Sequence, residues 1–196
     1  PLEKVKAISS WARANGLAMH LDGARLWNAI VASGIPAKEW CRHFDTVSVC
    51  FSKGLGAPLG SALAGPKDLI AQARGVRKLF GGAMRQGGYR AAACQYAMGR
   101  HVERLAEDRE NAKLVAAAVA ERPGFTLLPP QVETNLVWFE VGAPWASARD
   151  VAIKLKEAGV LVAALGKRVV RAVTHLNVSR ADCERAAAAI RSLEPR

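Results

Sequence analysis

Short apolar runs, separated by helical patterns, constrain this chain more than any other feature. Residues 17–21 and 46–51 are such runs, and residues 61–64 form a third. Strands buried on both faces read as continuous apolar stretches, and helices between them cover those faces. The first half of the chain is therefore expected to form an α/β layer around a mostly parallel sheet. Helices are expected over residues 4–15, 24–32 and 68–77. The first presents Ile8, Trp11 and Ala12 on one face and stops at Asn15-Gly16. Ser33-Gly34 caps the second.

The pattern then changes. A long helical stretch, broken once, is expected over residues 88–121, and Pro123-Gly124 ends it. Strands are expected at 125–128, 136–141, 160–163 and 169–173, with helices at 146–158 and 180–193. This is the pattern of a small α+β domain. Three strands are few for the preceding open sheet. Its leading strands are expected outside these 196 residues, as in a fragment of a longer protein.

Composition narrows the function classes. Apolar residues make up 51% of the chain, which fits a packed core rather than a disordered segment. No run approaches the roughly 20 apolar residues that cross a bilayer, and no signal-peptide pattern opens the chain, which starts at Pro1. Cys41, Cys50, Cys94 and Cys183 are scattered, without metal-ligand spacing. No metal is expected, and a reducing cytoplasm suits these cysteines. The net charge of +11 could attract nucleic acid, but the basic residues are dispersed along the chain. Neither nucleic acid nor membrane is expected as a partner.

In open α/β sheets, ligands sit beyond the carboxyl ends of the strands. Asp22 closes the first strand and Lys53 follows the second, so a carboxylate and an amine fall on one edge. An isolated Ser-Lys-Gly would be an ordinary solvated loop lysine. Here Gly54, Gly56 and Gly60 follow Lys53 and allow a bulky group close to the backbone. A lysine partly desolvated in such a place is a nucleophile for aldehydes. Asp22 could serve simply as a helix cap. Arg25 lies three residues on and faces the same way. His20 shares the strand face of Asp22, either supporting it or merely packed.

Four stretches together carry a resemblance. They are His20-Leu-Asp-Gly-Ala-Arg-Leu-Trp-Asn-Ala29, Ser48-Val-Cys-Phe-Ser-Lys-Gly-Leu-Gly-Ala-Pro-Leu-Gly-Ser61, Arg77-Lys-Leu-Phe-Gly-Gly-Ala-Met-Arg-Gln86 and Val170-Arg-Ala-Val-Thr-His-Leu-Asn-Val-Ser179. In this order they resemble the C-terminal portion of the low-specificity L-threonine aldolase family. That family belongs to the β-eliminating-lyase branch of fold-type I pyridoxal 5′-phosphate (PLP) enzymes. The resemblance implies that residues 1–90 form the C-terminal part of a large PLP-binding α/β domain. Residues 91–196 would add a linking helix and a small α+β domain.

It also implies roles. Lys53 would be the Schiff-base lysine. Asp22 would pair with the pyridine nitrogen, Arg25 would lie near the phenolic oxygen and Ser52 would help hold the phosphate. Lys78 and Arg85 would approach the phosphate, in a site shared between the subunits of a homodimer or homotetramer. Arg171 would bind the substrate α-carboxylate, for which its planar fork is suited. The implied reaction is cleavage of threonine or allo-threonine to glycine and an aldehyde. Another PLP-dependent lyase, a racemase, a transaminase and a non-catalytic family member remain open at this point. The resemblance further implies an earlier half with a glycine-rich phosphate cradle and a ring-stacking histidine, motifs absent from these residues.

Overall fold

The computed structural model describes residues 1–195. The chain forms two compact units, residues 1–103 and 104–196.

In the first unit α1 (Leu2–Ala14), β1 (His20–Gly23), α2 (Leu26–Ser33) and α3 (Ala37–Cys41) precede β2 (Thr46–Cys50) and β3 (Ser61–Ala64). Then come α4 (Lys67–Leu79) and α5 (Gly87–His101). The sheet order is β1-β2-β3. β1 runs parallel to β2, with Asp22 opposite Ser48, whereas β3 returns antiparallel, with Cys50 opposite Ser61. The expected parallel pairing thus holds for one of the two strand pairs. The short connection from β2 to β3 explains the other, since a parallel return needs a crossover of a dozen or more residues.

Two local expectations are corrected. Within α1 the buried residues are Ser9 and Ala12, each 2% exposed, while Ile8 and Trp11 are 48% and 63% exposed. Ser9 Oγ donates to the His43 carbonyl, and this polar tie takes the inward face of the helix. The first strand begins at His20 rather than residue 17. Met19 is held just before it, its N–H donating to the Asp45 carboxylate.

The second unit starts with α6 (Leu105–Ala120), so the helical stretch breaks at residues 102–104. β4 (Phe125–Leu127), β5 (Leu136–Val141), α7 (Ala148–Glu157), β6 (Ala163–Leu165), β7 (Val169–Val173) and α8 (Arg180–Ser192) follow. The antiparallel sheet has the order β4-β5-β7-β6. Alternation along β5 and β7 sends Val137, Phe139, Val141 and Val170 into a core shared with Val119, Leu155 and Ile190. Phe125 joins it, stacked 4.9 Å from Phe139 and 5.0 Å from Trp145 between ring centroids. Each such side chain contributes about 1.5–3 kcal/mol on burial. β6 begins three residues later than expected because Val160 closes the turn after α7, its N–H bonding to the Leu155 carbonyl. Ser179 and Asp182 form a reciprocal capping box that starts α8.

Candidate functional site

The parallel pairing of β1 and β2 brings the ends of both strands to one edge of the first sheet. Asp22 sits inside β1, one residue before its end, and is exposed. Its Oδ1 accepts the Ala24 N–H at 3.1 Å, a local turn that starts the passage into α2. Asp22 does not cap the helix itself: Arg25 occupies that position, half-buried. His20 shares the face of Asp22, and its Nδ1 lies 2.8 Å from Thr46 Oγ1. The imidazole is therefore engaged with β2 and supports the strand pair.

Gly23 is required at the end of β1. A methyl group there would run into the Ser48 carbonyl oxygen on β2. Gly23→Ala should therefore pry the two strands apart and cost about 1–3 kcal/mol. A lowered urea midpoint with unchanged slope would register it, and an unchanged midpoint would show that the edge adapts freely.

Beyond β2 the chain makes a compact loop. The Phe51 N–H donates to the Gly60 carbonyl and the Phe51 carbonyl accepts the Ala57 N–H, both at 3.0 Å. The Gly56 N–H closes an inner turn on the Lys53 carbonyl at 2.9 Å. Leu55 anchors the loop, being 1% exposed, and Phe51 lies over Trp27 with centroids 6.3 Å apart. Trp27 Nε1 also donates to the Cys50 carbonyl, tying α2 to the strand end. Gly60 adopts a φ of +116°, and a methyl there would come within 2.9 Å of Cys94 Sγ. The backbone around Lys53 is thus fixed on several sides.

The Lys53 side chain is exposed, as is that of Ser52. The expected desolvation of the lysine is therefore not supplied by its own loop. Ser52 Oγ lies 3.3 Å from Cys50 Sγ. The first unit thus places Asp22, Ser52 and Lys53 on one sheet edge, with Arg25 at the start of the adjoining helix. Lys78 lies in the last turn of α4, and Arg85 in the connection to α5; both are exposed. Neither forms a hydrogen bond or ion pair with Asp22, Ser52 or Lys53 among the described residues.

Arg171 belongs to the second unit. It lies on β7 opposite Trp138 of β5, with its guanidinium 5.5 Å from the Trp138 ring centroid. Its Nε is buried and makes no hydrogen bond. Stacking on the indole orients the flat guanidinium while leaving donors available for an anion. Three residues on, Thr174 Oγ1 donates to the Asp108 carbonyl at 2.6 Å. Asn135 Nδ2 donates to the Thr174 carbonyl at 2.8 Å. These bonds pin the end of β7 to α6 and β5. Sequence reasoning missed Asn135, Asp108 and Thr174, since only their burial marks them.

This donor set suits a pyridoxal phosphate. It has an amine for the aldehyde, a carboxylate for the ring nitrogen, and a hydroxyl and cations for a phosphate. No helix of the described residues is long and apolar enough to cross a membrane.

Residues 1–142 match the family described as β-eliminating lyase. The low-specificity L-threonine aldolase of Escherichia coli K12 is 40% identical over 188 residues, covering 96% of this chain and 54% of that protein. The low-specificity L-threonine aldolase of Candida albicans is 42% identical over 143 residues, covering 73% of this chain and 38% of its own length. A Cochliobolus carbonum protein named alanine racemase TOXG is 38% identical over 168 residues, covering 83% and 43%. The chain spans about half the length of the curated relatives it matches. Among solved structures, a Leishmania major threonine aldolase superposes with a TM-score of 0.77 at 19% identity, over 96% of this chain and 55% of that one. That likeness establishes the shared fold.

Proposed function

This chain belongs to the β-eliminating lyase family, and from that membership we propose that it carries the lysine-bearing part of a pyridoxal-phosphate site. The reaction is cleavage of a β-hydroxy-α-amino acid, L-threonine or L-allo-threonine, to glycine and an aldehyde. One observation carries this reading. The parallel β1–β2 pair sets an exposed carboxylate and an exposed lysine on the same sheet edge. The relatives named threonine aldolases support the choice of substrate.

Bound pyridoxal phosphate supplies the electron sink that weakens the bonds at the substrate α-carbon. Lys53 binds the cofactor aldehyde through its amine. Asp22 holds a proton on the ring nitrogen, and Arg25 directs positive charge at the phenolic oxygen. Ser52 takes part in phosphate binding, and Lys78 and Arg85 do so in the site of a neighbouring copy. Arg171 grips the substrate α-carboxylate. Fixing that group sets which bond of the α-carbon is cleaved, so the protein selects the reaction by orientation.

A second copy of this chain is part of the proposal. Leu79, Phe80 and Tyr89 are 80%, 82% and 90% exposed, an unusually apolar surface around the α4–α5 turn that carries Arg85. A cytoplasmic setting is proposed as well, in keeping with four free cysteines.

The test is chemical. The chain is mixed with pyridoxal phosphate and reduced with borohydride, and the modified residue is located by peptide mass. Attachment at Lys53 is expected, and attachment at other lysines alone refutes the site. A separate, unreduced sample with pyridoxal phosphate, incubated with threonine, should yield glycine and acetaldehyde. Release of 2-oxobutyrate and ammonia from threonine would refute the aldolase reading. Racemisation of alanine without cleavage of threonine would favour the reaction named for the Cochliobolus relative instead.

A further inference from the structure

Helix α5 reaches back to the Lys53 loop at two points. Cys94 Sγ donates to the Leu59 carbonyl at 3.4 Å. His101 Nδ1 lies 2.6 Å from the Leu55 carbonyl oxygen. A carbonyl can only accept, so Nδ1 carries the hydrogen and His101 is the donor. Its ring is further fixed by an edge-on contact with Tyr96, with centroids 5.7 Å apart. Leu55 is two residues beyond Lys53 and is the deepest side chain of the loop. Its carbonyl makes no hydrogen bond within the loop, because the inner turn closes on Lys53 and Phe51.

We propose that His101 is a positioning residue for Lys53. Its Nδ1–H satisfies the buried loop's outward carbonyl and so holds the turn of residues 53–56 in the one conformation that presents the lysine at the strand edge. This inference rests on the assignment of Lys53 as the cofactor lysine. The bond spans 46 residues of sequence and joins the end of a helix to the loop that bears the chemistry.

The test compares the full chain with His101→Asn and His101→Leu. Asparagine places an N–H donor at the same δ position; leucine fills similar space with none. Without cofactor, amide exchange of Gly56 and Ala57 should quicken about tenfold in His101→Leu, the worth of one lost hydrogen bond. Exchange in β1 and β2 should stay unchanged, and His101→Asn should follow the wild type within about twofold. With pyridoxal phosphate added, His101→Leu should shift the pH midpoint of the visible lysine-dependent band, and His101→Asn should restore it. Three results overturn the proposal: a leucine variant identical to wild type in both readouts, an asparagine variant that behaves like leucine, or exchange that quickens equally throughout the first sheet. A wild-type chain that forms no band at Lys53 refutes the cofactor reading, and the exchange contrast then decides the loop clamp by itself.

Discussion

Lys53→Ala is expected to abolish the visible band formed with pyridoxal phosphate and to lower turnover of threonine by roughly 10³–10⁶-fold, the range seen when a covalent nucleophile is removed. The loss should be chemical rather than structural. Lys53 is exposed, and only its backbone carbonyl participates in the loop. Stability should therefore stay within about 0.5 kcal/mol of wild type. The informative control is Lys78→Ala. That side chain is also an exposed cation, but its proposed role is electrostatic. Its loss should weaken cofactor affinity about 10–100-fold, the worth of one charged hydrogen bond, while the band still forms at saturation. The measurement is a spectrophotometric titration with cofactor, repeated for each variant. A band that persists in Lys53→Ala would sink the assignment. Two variants with equal effects would show that general positive charge, not a particular amine, is at work.

Much of this arrangement was legible in sequence because it follows from local chemistry. The β-branched runs at β5 and β7 mark strands whose observed limits, Leu136–Val141 and Val169–Val173, match the expected ones. The glycines after Lys53 announced a backbone that must turn sharply, and Gly60 does take a positive φ. Where reading by apolarity failed, a polar tie had decided the outcome. β1 starts late because Met19 and His20 are set by Asp45 and Thr46, partners that no periodicity reveals. Helix α3 went unnoticed because it is a single short turn of five residues introduced by Pro36. Helical spacing puts Trp11 on one face with Ile8 and Ala12, yet the inward positions of α1 are small, and Ser9 fills one by donating to α3's trailing segment. The His101 side chain and the Asp108 backbone carbonyl act through contacts distant in sequence, so only the folded chain identifies these partners.

Asp108 carries the second large effect. Its side chain is completely buried, and Arg104 grips both carboxylate oxygens, at 2.7 and 3.4 Å. The guanidinium is 18% exposed, so the carboxylate bears most of the desolvation. Removing one partner of such a pair leaves an uncompensated group in the interior, at a cost of about 3–5 kcal/mol. Asp108→Ala should therefore lower the urea midpoint of the second unit strongly, with the figure nearer 3 because Arg104 can still turn toward water. Asp108→Asn keeps the shape and one acceptor and should lose less. The double replacement Arg104→Met with Asp108→Leu removes both charges while retaining volume, and should recover most of the loss, since a buried pair is worth little against good apolar packing. The Thr174 hydroxyl bonds the Asp108 backbone carbonyl, which all three variants retain, so the β7 end should stay pinned. Amide exchange near Arg171 would then be unchanged under native conditions even as global stability falls. A double variant as unstable as Asp108→Ala would mean that the ion pair stabilises the unit through its specific geometry, and that its burial is not merely tolerated.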